Sequence, residues 1–461
     1  MSNVPSDWEV VIGLEVHVQL HTRAKVFASS PWGFGKEPNE QVDPVVLGLP
    51  GTLPVVNREA VEKSILFGLV VGASVPEHCS WDRKNYFYPD NPKNYQLTQK
   101  DFPVVVGGQV EIELPGASRN VMGEHKFIRI HHAHLEEDVG KLSHAGSGSL
   151  VDYNRAGVPL LEIVTEPDLR SSAEAEAFLR SLVAMLTQAG VADCDMEKGQ
   201  LRCDCNVSVR RRGAEKLGTR TETKNLNSIS SVRDTVIYET ARQIRELEAG
   251  RSITQETRGW NAELARGYVL RDKEDAHDYR YFPDPDIPTL KISRETVARL
   301  AKQVPENLYD RQRRYVEKLG LPYTAASVLV NDRALAEWFE AAVAAHPANP
   351  SGIANLVAND LLRDLAASAG AAGAFDESAL APVSLASCPI KPAQLAGLVK
   401  LTDDGVISKQ QAKEVFAEMF KTGQEAAAIV DAKGLRQNSD TGELEKIVQE
   451  VIADPAVAKS I

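Results

Sequence analysis

The sequence predicts an α+β fold in its first part, built on a mostly antiparallel sheet, and helices in the remainder. Two observations support this. Short runs that alternate apolar and polar residues between Gly, Pro, Asn and Asp are typical of strands, and they lie at 10–20, 108–114, 126–134, 160–165 and 201–210. After the prolines at 283, 285 and 288, the chain is rich in alanine and carries apolar residues at helical spacing.

Several helices are predicted along the chain. Two helices are predicted among the strands, at 172–189 and 231–249, and two more follow at 334–345 and 352–367. Farther on, Leu395, Leu398 and Val399 share one helix face, and Gly405 can end that helix. Ser408 and Gln411 have the spacing of a capping box, so they predict the start of the next helix. Three domains are expected from the length.

Composition limits the class of protein. The chain has 461 residues, of which 43% are hydrophobic and 25% charged, as in ordinary globular proteins. Its net charge of −12 argues, by itself, against a basic nucleic-acid binder. Five widely spaced cysteines, the lack of a signal peptide and the lack of a run of about 18 apolar residues favour a reducing, cytoplasmic location. No P-loop motif is present, so any nucleotide site must belong to another fold.

The first strand carries the first candidate site. Its side chains alternate between two faces, one wholly apolar and the other polar. The polar face includes Glu15, His17 and Gln19. A carboxylate and an imidazole two positions apart can bind one metal ion, although an ordinary solvated strand face gives the same pattern.

Two acidic segments strengthen the metal interpretation. Residues 131–138 crowd three histidines and three acids into eight positions, which repel one another unless a cation compensates them. Glu162 is a carboxylate inside an apolar run and needs a metal, a cationic partner or a raised pKa. Oxygen ligands with one imidazole suit Mg²⁺ or Mn²⁺. A plain acidic surface remains the alternative for 136–138.

Basic and small polar residues provide a candidate anion site. The run 201–210 places Arg202, Asp204, Asn206 and Ser208 on one face and two cysteines on the other, so the cysteines are predicted to belong to the core. Such a face suits phosphate or carboxylate, or simply solvent. Lys84 lies in a loop-like run of bases and aromatics, and Lys224 is predicted in a polar turn before a helix.

Taken together, the motifs resemble one family. The chain is similar to GatB, the B subunit of the bacterial aspartyl/glutamyl-tRNA amidotransferases, in eight ordered segments over residues 10–288: VIGLEVHVQL, DRKNYFYPDNPK, HLEEDVGKL, DYNRAGVPLLEIVTEPD, LRCDCNVSVR, TKNLNS, QETRGW and DYRYFPDPDI.

The resemblance implies a domain organisation. Residues 1–292 would form a catalytic cradle of glutamine synthetase-like type, 293–398 a helical domain, and 399–461 a YqeY-like tail domain that is shorter than usual in the family. A shorter tail would weaken tail-mediated tRNA contacts.

The resemblance also implies a reaction. ATP and Mg²⁺ phosphorylate the side-chain carboxylate of Glu-tRNA(Gln), Asp-tRNA(Asn) or both, and ammonia then displaces phosphate to give the amide. A GatA-type glutaminase subunit would supply ammonia, and a GatC-type small subunit would complete the heterotrimer. Two other functions are weighed: a stand-alone glutamine synthetase-type carboxylate–amine ligase and a non-catalytic tRNA-binding subunit.

Roles follow residue by residue from the matching motifs. The implied metal ligands are Glu15, His17, Glu137 and Glu162, with Glu136 a close competitor of Glu137. The implied catalytic residues are Lys84, which matches a lysine near the transferred phosphate, together with Glu15 and His17. The residues expected to line the ATP and acyl-acceptor pocket are Arg202, Asp204, Asn206, Ser208 and Lys224.

The acidic total does not exclude an RNA substrate, because charge is patterned along the chain. Residues 202–224 hold seven basic and three acidic residues, a local surplus of four positive charges. We therefore expect weak, salt-sensitive tRNA binding by this chain alone.

Overall fold

The computed structural model describes residues 4–118, 120–272, 278–368 and 385–437. These belong to two compact units, residues 1–309 and 310–461. The first is mixed α+β and the second helical, as the sequence predicts. The predicted division at 292/293 and 398/399 stays a prediction; its second boundary falls inside a helix, Pro392–Asp403.

The strands of the first unit include every run that the sequence predicts. In chain order they are β1 Trp8–Gln19, β2 His78–Cys79, β3 Asp82–Asn85, β4 Tyr95–Thr98, β5 Val105–Val106, β6 Gln109–Glu113, β7 His125–Glu137, β8 Lys141–Ala145, β9 Gly148–Asp152, β10 Pro159–Thr165, β11 Leu201–Arg211, β12 Thr221–Leu226, β13 Glu256–Asn261, β14 Arg266–Asp272, β15 Phe282–Pro283 and β16 Leu290–Lys291. Nine of them form one sheet.

Helices accompany the sheet and form the described part of the second unit. They are α1 Arg58–Val70, α2 Ser172–Gln188, α3 Ile229–Glu248, α4 Arg294–Ala301, α5 Leu308–Leu319, α6 Tyr323–Val330, α7 Arg333–Ala345, α8 Pro350–Asn355, α9 Leu362–Ser368, α10 Pro392–Asp403, α11 Lys409–Thr422 and α12 Ala426–Lys433. A π-helical turn, Leu356–Leu361, joins α8 to α9. Among the described residues, none of the helices has the length and apolar character needed to cross a bilayer.

The large sheet places β1 near its centre. Its order is β14-β13-β12-β11-β1-β10-β7-β5, with β6 also paired to β7. The described pairs in it are antiparallel except β12 with β13, which are parallel. β1 therefore has a long antiparallel neighbour on each side, β10 and β11, and side chains from three adjacent strands meet along it.

The apolar face of the sheet forms the core. Ile12, Leu14 and Val16 of β1 are at most 1% exposed and belong to one hydrophobic cluster with residues of α2 and α3. Cys203 and Cys205 of β11 lie in the same cluster, so their predicted core position is confirmed. The helices α2 and α3 pack on each other, and α3 also packs on β11. Because one face is covered in this way, the polar side chains of β1 must project from the other.

Two local predictions have different outcomes. In the second unit, Ser408 caps α11 with the predicted capping box, and α10 packs against α11 and α12. The predicted turn around Lys224 is wrong: this residue lies within β12, and only Ser228, the N-cap of α3, begins the helix. Thr221 and Thr223 are almost completely buried, which gives the segment the alternation of a strand.

Candidate functional site

The polar face of β1 is aligned with acidic and basic residues on both neighbouring strands. His17 lies opposite Glu162 of β10 and Arg202 of β11 in the sheet register. Glu15 lies opposite Asp204 of β11. Residues directly opposite in adjacent strands share a face, so the register brings together residues that are far apart in the sequence.

A first carboxylate cluster consists of His17, Glu136 and Glu162. One ligand atom from each lies within 4.8 Å of the other two, a spacing that could hold a metal ion. His17 Nε2 lies 3.3 Å from Glu162 Oε2, and His134 Nε2 lies 3.3 Å from the same oxygen. Glu136 Oε2 is buried, accepts no hydrogen bond within the usual distance in the described structure and lies 3.7 Å from His134 Nε2. Since two buried carboxylates at this spacing repel each other, the cluster fits a cation.

Two histidines compensate the carboxylates of the first cluster. Burial lowers the pKa of His134, but Glu162 and Glu136 outweigh it and raise the pKa to about 10. The pKa of His17 is also raised, since Glu162 outweighs burial. Burial raises the pKa of Glu162, but the two imidazoles outweigh it and hold the pKa well below its usual value. Positive charge is therefore favoured at this position.

A second carboxylate cluster consists of Glu15, Asp204 and Glu222. Its ligand oxygens also lie within 4.8 Å of one another. Burial raises the pKa of Glu15, and the charges of Glu162 and Glu222 raise it further. Asn206 Nδ2 donates a hydrogen bond to Glu15 Oε1 at 3.0 Å. A set of oxygen donors alone suits Mg²⁺.

Lys224 lies against the second cluster. Its Nζ is 2.9 Å from Asp204 Oδ2 and 2.9 Å from Glu222 Oε1. The burial of Lys224 opposes its charge, but these two carboxylates outweigh burial and raise its pKa. The structure therefore places a charged ammonium group beside carboxylates of the second cluster.

Lys84 is positioned by an aromatic contact next to the first cluster. It lies in β3, and its Nζ is 5.0 Å from the centre of the Tyr279 ring. Burial lowers the pKa of Lys84, but the charge of Glu136 and further groups including Glu162 outweigh it, so the pKa is raised. The ammonium can therefore meet an anion that approaches the cluster.

Arg202 and Ser208 complete the predicted set on β11. Arg202 Nη2 donates to Asp138 Oδ1 at 3.0 Å, and this buried aspartate also accepts from Gln19. Ser208 is buried and lies opposite Val11, on the face that carries Glu15. Both residues border the polar face of β1.

Glu137 is not brought to either cluster. Successive side chains of a strand point to opposite faces, so Glu137 faces away from Glu136. It forms a buried ion pair with Lys93 and accepts a hydrogen bond from the backbone N–H of Leu97 at 2.9 Å. Its carboxylate is therefore already compensated by groups of the protein itself.

Sequence reasoning did not assign a role to two residues of the site: Glu222 of the second cluster, and His134 beside the first, which was noted only as part of the crowded run 131–138. Glu222 lies two positions before Lys224, so recognition of β12 as a strand would have placed both on one face. His134 has the same relation to Glu136 in β7. Both could be found only after the correct strand and its parity were known.

Comparison with known proteins connects the site to a family. The family model described as "GatB/GatE catalytic domain" matches residues 10–298, and the one described as "GatB domain" matches 337–460. The B subunit of the aspartyl/glutamyl-tRNA(Asn/Gln) amidotransferase of Opitutus terrae is 51% identical, covering 98% of this chain and 91% of its own. The proteins of the same name from Carboxydothermus hydrogenoformans and Persephonella marina are each 46% identical, covering 97% of this chain and 90% of their own. The chain belongs to the GatB/GatE family.

Proposed function

We propose that this chain is the B subunit of a tRNA-dependent amidotransferase, a carbon–nitrogen ligase that uses glutamine as the amide donor. It would phosphorylate the side-chain carboxylate of Glu-tRNA(Gln), Asp-tRNA(Asn) or both, and then amidate it with ammonia. The observation that carries the proposal is the pair of carboxylate clusters on one sheet face, next to Lys84 and Lys224, in a chain of this family.

The chemistry requires opposite charges to be arranged around two anions. ATP and a carboxylate repel each other, so phosphoryl transfer between them needs compensating cations. The two clusters can bind Mg²⁺, which when bound neutralises phosphate charge and orients the nucleotide. His17, Glu136 and Glu162 would hold one ion, and Glu15, Asp204 and Glu222 the other.

The basic side chains have separate roles in the proposal. Lys84 would stabilise the charge that develops on the transferred phosphoryl group, and Lys224 and Arg202 would contact phosphate oxygens. The phosphorylated carboxylate is a good electrophile because phosphate can leave. Ammonia attacks its carbonyl carbon, the bond to the phosphate oxygen breaks, and the amide and inorganic phosphate are formed.

The proposal also covers the domains of the chain and its partner subunits. The first unit would be a cradle of glutamine synthetase-like type, consistent with an antiparallel sheet and the lack of a P-loop motif. A GatA-type subunit would supply ammonia and a GatC-type subunit would join the two. The C-terminal helices would form the helical and YqeY-like tail domains, which would contact tRNA.

Reconstitution tests the function directly. The full chain is combined with its two partner subunits, ATP, Mg²⁺, glutamine and each of the two mischarged tRNAs. We expect amidated tRNA, and we expect Glu15→Gln to reduce its formation by about a hundredfold or more. Glu9→Gln is the matched control, because Glu9 lies on the same strand but pairs with Arg210, away from the clusters.

Two results would contradict the proposal. A well-folded wild-type complex that forms no amidated tRNA with either substrate excludes the function. A Glu15→Gln chain that keeps full activity, or that fails to assemble with its partners, removes Glu15 from the chemistry. Amide formation from free glutamate without tRNA would favour the stand-alone ligase.

A further inference from the structure

Lys224 contacts two of the three carboxylates of the second cluster. Its ammonium contacts Asp204 Oδ2 and Glu222 Oε1, each at 2.9 Å. The other oxygen of Asp204 accepts a hydrogen bond from the backbone N–H of Asn225 at 2.9 Å. Both oxygens of Asp204 therefore already have a partner in the protein, and one of them is the ammonium of Lys224.

A divalent cation at this cluster would compete with the ammonium. Mg²⁺ binds carboxylate oxygens at about 2.0–2.1 Å. An ammonium that stayed on the same oxygens would then lie within a few ångströms of the ion. Two positive centres at such a distance in a partly buried site repel each other strongly. The ion and Lys224 cannot both keep their most favourable positions.

The Lys224 side chain can leave without opening the core. It is 32% exposed and ends a flexible four-carbon chain. Arg258 on β13 provides the contrast, since it is 7% exposed and pairs at 2.8 Å with Glu239, itself 1% exposed. Such a pair is locked in the structure, whereas Lys224 can rotate towards the open polar face.

We propose that Lys224 is an exchangeable counter-ion of the second cluster. It compensates Asp204 and Glu222 until a divalent metal binds, and then moves to the phosphate groups of the nucleotide. The second half of this inference rests on the proposed function, while the exchange itself does not. Since phosphate offers the displaced ammonium a new partner, metal and nucleotide should each raise the affinity for the other.

The affinity for Mn²⁺ alone tests the exchange. The full chain is titrated with Mn²⁺ and free ion is followed by electron paramagnetic resonance. All proteins carry Glu136→Gln so that the first cluster contributes little. We expect Lys224→Met to bind Mn²⁺ about tenfold more tightly or better, because the competing cation is gone; tenfold corresponds to about 1.4 kcal/mol.

Lys126→Met provides the matched control. Lys126 pairs with Glu174 at 2.7 Å and is 31% exposed, so the substitution breaks a similar lysine–carboxylate pair outside the clusters. Its Mn²⁺ affinity should equal that of the parent. Unchanged or weaker binding by Lys224→Met, or failure of both proteins to bind Mn²⁺, overturns the proposal.

A second measurement uses the wild-type chain and does not depend on any variant folding. Lysines are acetylated briefly and Lys224 labelling is compared with Lys126 by mass spectrometry. We expect Mn²⁺ to increase Lys224 labelling severalfold and a non-hydrolysable ATP analogue to reverse the increase. No increase with saturating Mn²⁺ refutes the exchange. If the increase occurs but amidation fails, the proposed function is wrong instead.

Discussion

Glu136 and Glu137 are adjacent in β7 but have opposite surroundings. Glu136 Oε2 is buried beside His17 and Glu162, and its nearest charged partner is His134 Nε2 at 3.7 Å. Glu137 pairs directly with Lys93, with both side chains 7% exposed, and also accepts a backbone hydrogen bond. Glu136 shares its surroundings with a second carboxylate and gains from a further cation, whereas Glu137 already has a cation whose own burial depends on it. We therefore assign Glu136 to the proposed metal site.

Glutamine substitutions should distinguish the roles of Glu136 and Glu137 in metal binding and in stability. Glu136→Gln removes a charge while His134 keeps its pair with Glu162, so we expect Mn²⁺ affinity to fall about tenfold or more with little change in stability. Glu137→Gln leaves Lys93 buried without its ion pair, so we expect the free energy of unfolding to fall by about 3–5 kcal/mol with Mn²⁺ affinity retained. Metal titration and urea denaturation measure both quantities.

The reverse pattern has a clear meaning. If Glu137→Gln lost metal affinity and Glu136→Gln lost stability, Glu137 would be the metal ligand, as the family resemblance implies. The end of β7 would then have to rotate when metal binds, so that Glu137 points to the cluster.

At the scale of the element, β1 has an open position beside the clusters. Gly13 lies two residues before Glu15 and opposite Asn206. A Cβ added at Gly13 would meet no heavy atom within 4 Å, and the position is not among those with positive φ. The space above β1 is therefore open beside Glu15, as a bound nucleotide would require.

Substitutions at Gly13 should separate folding from binding. Because β-branched residues suit strands better than glycine, we expect Gly13→Ala and Gly13→Val to keep or raise the melting temperature. We expect ATP affinity, measured by calorimetry with Mg²⁺, to fall with side-chain volume and by about tenfold or more for valine (~1.4 kcal/mol). Equal affinity for all three proteins would show that the nucleotide lies elsewhere.

An element can be predicted from the sequence when its apolar and polar pattern is complete within the element itself. The alternation of Glu15 and His17 with buried Leu14 and Val16 is complete within one strand, and β1 was correctly predicted. Lys224 lies in a short polar strand whose pattern depends on burial of threonines by α3, since Thr221 bonds Glu239 of that helix. A single sequence does not contain that contact, so the strand was missed and Glu222 with it.

The register between neighbouring strands is a second property that the pattern within one strand does not determine. The polar faces of β1 and β11 were predicted separately, but their alignment, with Glu15 opposite Asp204, depends on pairing across almost two hundred residues. The residue types of the site could therefore be predicted, while the division into two clusters, and Lys224 as the partner of one, required the fold.

At the scale of the whole molecule, the basic surplus of residues 202–224 contributes less to RNA binding than the sequence suggests. Arg202 and Lys224 pair within the polar face of the sheet, and Arg210 and Arg211 pair with Glu9 and Asp7. Arg212 donates to the backbone oxygen of Ser6. Of the seven bases between 202 and 224, Arg212, Lys216 and Arg220 are exposed side chains with no ion pair described, and Arg211 is 55% exposed in its pair with Asp7. The other paired bases face carboxylates of the protein itself, which reduces the positive charge that RNA phosphates would meet.

Binding of tRNA to the isolated chain should therefore be weak and governed by few contacts. With a net charge of −12, we expect a dissociation constant no tighter than about 10⁻⁶ M at physiological salt. The slope of log K against log salt should stay smaller than about 4 in magnitude, and a chain with both Lys216→Ala and Arg220→Ala should lose about 1–2 from it. Filter binding between about 50 and 200 mM salt measures the slope. Tight binding that salt leaves unchanged would mean that recognition is not electrostatic, since phosphate contacts by exposed bases depend on salt. It would also mean that partner subunits are not needed to hold the tRNA.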